Sequence, residues 1–259
     1  MPVIDFRTLI FCLALFLFQS TSLYAKELKA VYAQGYLPFS WAEDDDKAKG
    51  LEVDFVQAII SDKLSIDVIH EVYPWARAQA LVEEGRADIF VTIPNEKRRG
   101  YTQVTDIPLF SSNFLMHTGS SNPNKKLLSE INNLKELVNA RDLIHGHIVG
   151  AGWHEVRLKN VKLLQIAPSS LQILQLLDKN RIDVYIEQAP LIGYQIKTLG
   201  FEGRITEIPQ VIEETHWHIC IAKKSPYIKI MPKLNRLLKK MKEDGSLSQL
   251  QKQIFSQYK

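Results

Sequence analysis

One segment of the chain occurs twice. Ala80-Leu-Val-Glu-Glu-Gly-Arg-Ala-Asp-Ile-Phe-Val91 aligns without a gap on Gln175-Leu-Leu-Asp-Lys-Asn-Arg-Ile-Asp-Val-Tyr-Ile186, 95 positions later. Each copy reads as the end of an amphipathic helix, a turn and a buried strand. Gly85 and Asn180 fall at the same place, and these are the residue types that most readily take the left-handed conformation just past a helix C-terminus. Ile89–Val91 and Val184–Ile186 are uninterrupted apolar runs, the pattern of parallel strands covered on both faces. The repeat predicts two α/β units of like build.

Open parallel sheets bind ligands in the crevice at the carboxyl ends of their strands. One residue past each predicted strand stand Thr92 and Glu187. Arg98, beside Arg99, follows on a predicted loop after Pro94. If the two units face one another, a cation and a carboxylate meet across a cleft, which suits a zwitterion.

With 259 residues, 46% hydrophobic and 24% charged, the chain has enough material for two lobes. A net charge of +3 is too mild, and its lysines too scattered, for a nucleic-acid partner. Arg7, the apolar block Leu9–Phe18 and a small-residue site near Ala25 predict a signal peptide over residues 1–25 and therefore a periplasmic protein. The apolar block is too short for a membrane span. Cys12 lies inside it, so Cys220 is left without an internal disulfide partner and stability must come from the core.

Along the chain, Leu28–Ala33 reads as a strand, followed by a loop carrying Tyr36, Phe39 and Trp41. These aromatics serve either as a lid over the core or as a stacking surface for a ligand. Leu51–Leu64 has helical periodicity, and Ile66–Val72 reads as a strand. Pro74 opens the next helix, placing Trp75 either as a second stacking residue or as packing between helix and sheet. Phe114–His117 reads as a crossing strand, Ser129–Val138 as a helix, and His147–Trp153 as a strand, glycine and helix step. Gly152 with Trp153 at that helix start marks a candidate anion site. Pro168-Ser-Ser170 caps a helix through Leu177. A strand is expected near Ile205–Ile208 and a separate return crossing at His216–Ile221, then two C-terminal helices. The crossings make the first lobe discontinuous, residues 26–116 with 219–259, around a second lobe of residues 117–218. A hinge of two strands permits closure around a ligand.

Taken together, Tyr36-x-Pro-Phe39, Gly50-Leu-Glu-Val-Asp54, Trp75, Gly85-Arg-Ala-Asp88, Asn95-Glu-Lys-Arg98 before Val104-Thr-Asp106, and Met241-Lys-Glu-Asp-Gly-Ser-Leu247 resemble the periplasmic solute-binding proteins of polar amino-acid ABC importers, the family 3 extracellular solute-binding proteins. The resemblance implies an α/β fold of the type II periplasmic-binding-protein class, with two lobes that are each a mixed sheet flanked by helices. It implies an amino acid or related carboxylate as ligand, an ABC permease or membrane receptor as partner, a monomer, and neither cofactor nor catalytic residue. By position, Arg98 matches the arginine that grips an α-carboxylate, a role for which the guanidinium fork is suited. Glu187 stands where an aspartate receives the α-amino group, and Tyr36 and Trp75 stand where rings enclose the ligand side chain. Asn95 replaces the family's threonine, and Trp153 a small hydroxyl residue.

Three alternatives keep the fold. Glu187 as a general acid would make a periplasmic dehydratase, but no second titratable group accompanies it. His145 with His147, and His216 with His218, have spacing that metals use, but they lie on different segments without an acidic or cysteine partner. A sensor would present the same closed lobes to a membrane receptor.

Overall fold

The computed structural model describes residues 27–43, 47–148 and 152–258. The predicted signal peptide, Gly150 and the acidic residues Asp44–Asp46 lie outside these. No helix of the described residues is long and apolar enough to cross a membrane.

Strand β1 (Leu28–Ala33) is followed by a small ladder of β2 (Trp41–Ala42) and β3 (Ala48–Lys49), then helix α1 (Leu51–Val56), which widens into a π-helical turn over Gln57–Asp62. β4 (Val68–Tyr73), α2 (Trp75–Glu84) and β5 (Ile89–Thr92) complete two right-sized crossovers. β1 pairs in parallel with β4, in register from Leu28 opposite Val68 to Ala33 opposite Tyr73, and on its other side with β5. β1 and β5 are buried on both faces, which is why they read as apolar runs rather than alternating ones. Helix α3 (Glu96–Tyr101), β6 (Thr102–Val104) and the long β7 (Phe110–Gly119) follow.

The chain continues through α4 (Lys125–Glu130), α5 (Leu134–Asn139), β8 (Ile144–Ile148), α6 (Gly152–Arg157), β9 (Leu163–Ala167), α7 (Ser170–Asp178), β10 (Tyr185–Gln188) and α8 (Ala189–Thr198). β11 (Ile205–Ala222) then returns, and a 3-10 turn leads to α9 (Met231–Glu243) and α10 (Ser246–Ser256). The main sheet runs β10-β7-β11-β5-β1-β4, with β6 also on β11. β8 and β9 form a parallel pair that meets β10's approach through the bridge of His145 with Val184.

The repeat is physical: α2 and α7 each end in a left-handed residue, Gly85 at φ 78 and Asn180 at φ 50, before a buried strand. Those strands are not in purely parallel sheets, however. β5 is antiparallel to β11 and β10 is antiparallel to β7, so the sheet is mixed. The strands expected at Ile205–Ile208 and His216–Ile221 are one strand of 18 residues. Pro209 masks the continuity, because it lacks an N–H and sits where the β7–β11 register slips between Ile208 and Val211. The helix expected over Ser129–Val138 is two helices, because the Asn133 side chain accepts from the Glu136 N–H at 3.0 Å and starts α5 afresh. Arg98 and Arg99, expected on a loop, lie on α3.

One core joins β1, α1, α9 and α10 around Leu28, Phe39, Phe55, Phe110 and Trp217, and a smaller one fills the other face under α2 with Val82, Phe90 and Cys220. Two further clusters flank β7 and β10, around Phe114 and Met116 and around Leu174 and Ile182. The second half also buries His117, His145, His147 and His154. Among the described residues neither ring nitrogen of His145 has a hydrogen-bond partner, and burial pushes its imidazole from 6.5 down to about 4, with the charge of Asp183 opposing.

His145 is therefore neutral in the native state, while the unfolded chain takes up its proton below 6.5, so the stability it permits is present above 6.5 and lost as pH falls toward 4. Urea unfolding is expected to show a loss of about 2 kcal/mol between roughly pH 7 and 5 from this group alone. In His145→Gln the acid limb becomes flatter by that amount; an unchanged limb contradicts the assignment.

Candidate functional site

The candidate site begins where β1 leaves the sheet. The chain turns through Gly35 at φ 74, and the Ser40 hydroxyl ties the turn down by donating to the Ala33 carbonyl at 2.8 Å. Phe39 is driven into the core and stacks on Trp217 at 4.7 Å, while Tyr36 stacks on Phe39 at 4.9 Å. Helix α1 starts hard against this loop. Gly50 has φ 123, and a Cβ there would lie 2.4 Å from the Phe39 carbonyl oxygen, so only glycine fits. Its approach lets the Leu51 and Glu52 amides donate to the Pro38 and Phe39 carbonyls at 3.0 Å each. Glu52 is thereby placed at the loop's edge.

Between this loop, the end of β5 and α3 lies a cavity of about 380 Å³, whose lining includes Gln34, Tyr36, Glu52, Trp75, Thr92, Arg98 and Trp217. The Asn95 side chain accepts from the Arg98 N–H at 2.9 Å, capping α3 and fixing the residue that points into the cavity. The guanidinium is then held on three sides: Nε donates to Gln79 Oε1 at 3.1 Å, Nη1 donates to the Ile93 carbonyl at 2.7 Å, and its carbon lies 5.2 Å from the centre of the Trp75 ring. Burial lowers the Arg98 pKa from its usual value, yet the group stays a cation at neutral pH. Among the described residues no hydrogen bond engages Nη2. Arg99, in contrast, is exposed and does not line the cavity. Trp75 lines the cavity and also packs edge-on against Phe90 at 5.6 Å. Thr92 is the last residue of β5 rather than the first beyond it.

Gln34, Glu52 and Trp217 line the cavity without having been singled out from sequence. Glu52 is 3% exposed and without a side-chain partner among the described residues, and burial pushes its carboxyl from 4.5 up to about 8. A signal was present: Glu52 shares a helical face with Phe55, Val56 and Ile59, all buried, so an acid occupied a core-facing position. Trp217 was hidden in the crossing strand; its ring packs on Phe110 at 5.5 Å and its buried Nε1 has no partner among the described residues.

The remaining expected site residues lie outside this lining. Glu187 is on β10, where Oε2 accepts from the Tyr185 hydroxyl at 2.9 Å and Oε1 from the Gln188 amide at 2.8 Å. Burial raises its pKa, and these two bonds oppose the rise. Its neighbour Gln188 instead reaches across, with Nε2 donating to the Tyr36 hydroxyl at 2.8 Å. Trp41 packs between Tyr194 and Tyr258, with ring centres at 6.5 and 6.0 Å. Trp153 stacks on Phe114 at 4.3 Å and donates to Glu213 at 3.0 Å, a carboxylate that Arg157 also grips. Gly152 opens α6. His216 bonds Ser111, His218 bonds the Thr105 carbonyl, and no cluster of three metal-ligating side chains occurs among the described residues.

A larger groove of about 760 Å³ runs between α8 and α10, beside Tyr194, Phe255 and Tyr258. Its lining gathers no arginine, so the smaller cavity, with convergent polar groups and perturbed titration, is the stronger site.

A family model for bacterial extracellular solute-binding proteins, family 3, matches residues 28–257. Solved structures share the fold. An ancestral amino acid-binding protein, described as a precursor of cyclohexadienyl dehydratase, is 18% identical with TM-score 0.62, covering 88% of this chain and 95% of that one. A histidine kinase sensor domain with similarity to periplasmic binding proteins is 15% identical with TM-score 0.66, covering 88% and 96%. An arginine-, lysine-, histidine-binding protein from the thermophilic bacterium Geobacillus stearothermophilus is 15% identical with TM-score 0.62, covering 89% and 96%. No curated protein sequence matches the chain.

Asn95 does by geometry what a threonine does at a helix start. Asn95→Ala is expected to cost about 1 kcal/mol in urea unfolding, and Asn95→Thr to recover most of it. Equal losses in both variants would argue against the cap.

Proposed function

The chain belongs to the bacterial extracellular solute-binding proteins, family 3, and we propose that it is exported, closes two lobes on a small polar solute, an amino acid, and delivers it to an ABC importer. The carrying observation is the Arg98 guanidinium, fixed by Gln79, the Ile93 carbonyl and Trp75 in an aromatic-lined cavity at a strand end. A fork pre-oriented in this way binds a carboxylate at little ordering cost, because its rotamer is already set.

The lobes in this reading are residues 26–116 with 219–259, and 117–218, hinged at β7 and β11. Mechanism follows from differential binding. The open form exchanges solute, and the closed form gains contacts such as Gln188 to Tyr36, which joins β10 to the loop after β1. Binding is preferred to catalysis because Glu187, the candidate general acid, accepts two hydrogen bonds on β10 and does not line the Arg98 cavity. A sensor role has one specific support, the shared fold of the histidine kinase sensor domain, and uses the same cavity and closure.

Thermal unfolding of the purified protein with a panel of amino acids and small carboxylates tests the reading. One ligand class should raise the midpoint, adding about 3 kcal/mol of stability when present at about 100 times its Kd. Arg98→Ala should remain folded by circular dichroism and lose that response. A response retained in Arg98→Ala would remove the assigned role, and no response to any panel member would remove the reading itself.

A further inference from the structure

Glu52 is a buried titratable group to which the carboxylate-gripping role of Arg98 assigns no function. It lines the same cavity as Arg98, and it is the one carboxyl group among the described lining residues. Its position is enforced rather than incidental: Gly50 permits α1 to start against the Phe39 carbonyl, and the Glu52 amide is bonded there. No side-chain hydrogen bond or ion pair to Glu52 is formed among the described residues, although it is 3% exposed.

A buried carboxylate with no partner costs several kcal/mol, so the empty site holds the group as the neutral acid. A solute bringing a cation would change that balance. Arg98 already provides the cavity's positive charge, and a zwitterion bound through its carboxylate has a second charged end to satisfy. The rings of Tyr36, Trp75 and Trp217 also line the cavity, and aromatic faces favour a cation close by. Glu187, the residue expected for this role, has both oxygens engaged by Tyr185 and Gln188.

We propose that Glu52, rather than Glu187, receives the cationic group of the solute, so that the cavity takes a small zwitterion with its carboxylate on Arg98 and its ammonium on Glu52. This rests on the solute-binding reading above and names the ligand class for that site. As the ammonium enters, the Glu52 carboxyl releases its proton to solvent and the resulting carboxylate pairs with the ammonium; the ligand keeps all its protons.

Burial raises the carboxyls of Glu52, Asp54 and Glu187 alike, and of the three Glu52 alone lines the cavity. Tyr32 on β1 and Tyr36 on the loop are held protonated by burial, and Tyr32 bonds His70, whose own pKa is lowered by burial. Asp54 on the same helix accepts from Tyr258 at 2.6 Å, and Arg98 remains charged. With the Glu52 carboxyl raised to about 8 in the empty site, binding at pH 7 should release close to one proton per ligand. Affinity should tighten by about tenfold per pH unit from roughly pH 6 to 7.5 and level off above about 8.

Isothermal titration calorimetry in buffers of different ionisation enthalpy counts the protons directly. The probes are L-arginine, L-lysine, L-histidine and L-glutamine, with glutarate and propionate as carboxylates lacking the ammonium. The proposal expects an amino acid to bind with release of close to one proton. Glu52→Gln should abolish that release and weaken the amino acid by at least about tenfold, while Glu187→Gln keeps the wild-type proton count. Because the wild-type count needs no variant, a misfolded Glu52→Gln would not rescue or spoil the test. Amino-acid binding with no proton release, or equally tight binding by the carboxylates, overturns the role of Glu52 and leaves the solute-binding reading standing. Failure of every probe overturns both.

Discussion

Eighteen consecutive residues of β11 pair first with β7 and then with β5 and β6, so a single strand carries hydrogen bonds to both halves of the molecule. The remaining order follows from this pairing. β7 supports β10, which positions Gln188, and β5 supports α3, which positions Arg98. Trp217, at the point where β11 changes partners, packs against Phe39 and Phe110 and faces the cavity. The register slips near Val211 fall within the β7 pairing, away from the segment that pairs with β5.

The cavity concentrates the cost of the fold in a few groups. Arg98 is half-buried and has its charge shared among an amide oxygen, a carbonyl and a ring, none of which is an anion. Its attraction for a carboxylate is therefore not cancelled in advance by a protein acid. Burial of Glu52 nearby favours its neutral acid form, so the lining keeps the positive charge of Arg98 rather than holding an ionised pair. Buried groups left without partners are disfavoured in the empty protein, and a ligand that supplies the partners recovers that cost on binding. In the second half burial likewise favours the neutral form of His145, whose ring nitrogens find no partner among the described residues.

Much of the fold was legible because local chemistry agreed with tertiary structure. Gly85 and Asn180 marked their turns, Ser169 caps α7 by accepting from Gln172, and the apolar runs marked buried strands. The failures have physical causes. Pro209 disguised a continuous strand, and adjacent asparagines divided a helix. Of the site, Tyr36, Trp75, Thr92 and Arg98 line one cavity, as their positions near strand ends suggested. Trp41 and Trp153 do not, since an aromatic residue on a loop or at a helix start satisfies itself equally well against Tyr258 or Phe114. Glu187 was found by counting along a strand, but a one-residue difference in side-chain direction gives the contact with Tyr36 to Gln188. Glu52 escaped notice because acids at a helix start usually serve the helix dipole rather than a pocket.

The most direct test of where this protein binds is hydrogen–deuterium exchange with and without the amino acid that gives the largest thermal shift. The cavity at the strand ends predicts slowed exchange in the Gln34–Ser40 loop, in α3 and around Gln188, with the groove between α8 and α10 exchanging as before. Protection centred on that groove, with α3 unchanged, would contradict the account and place the solute at a different site.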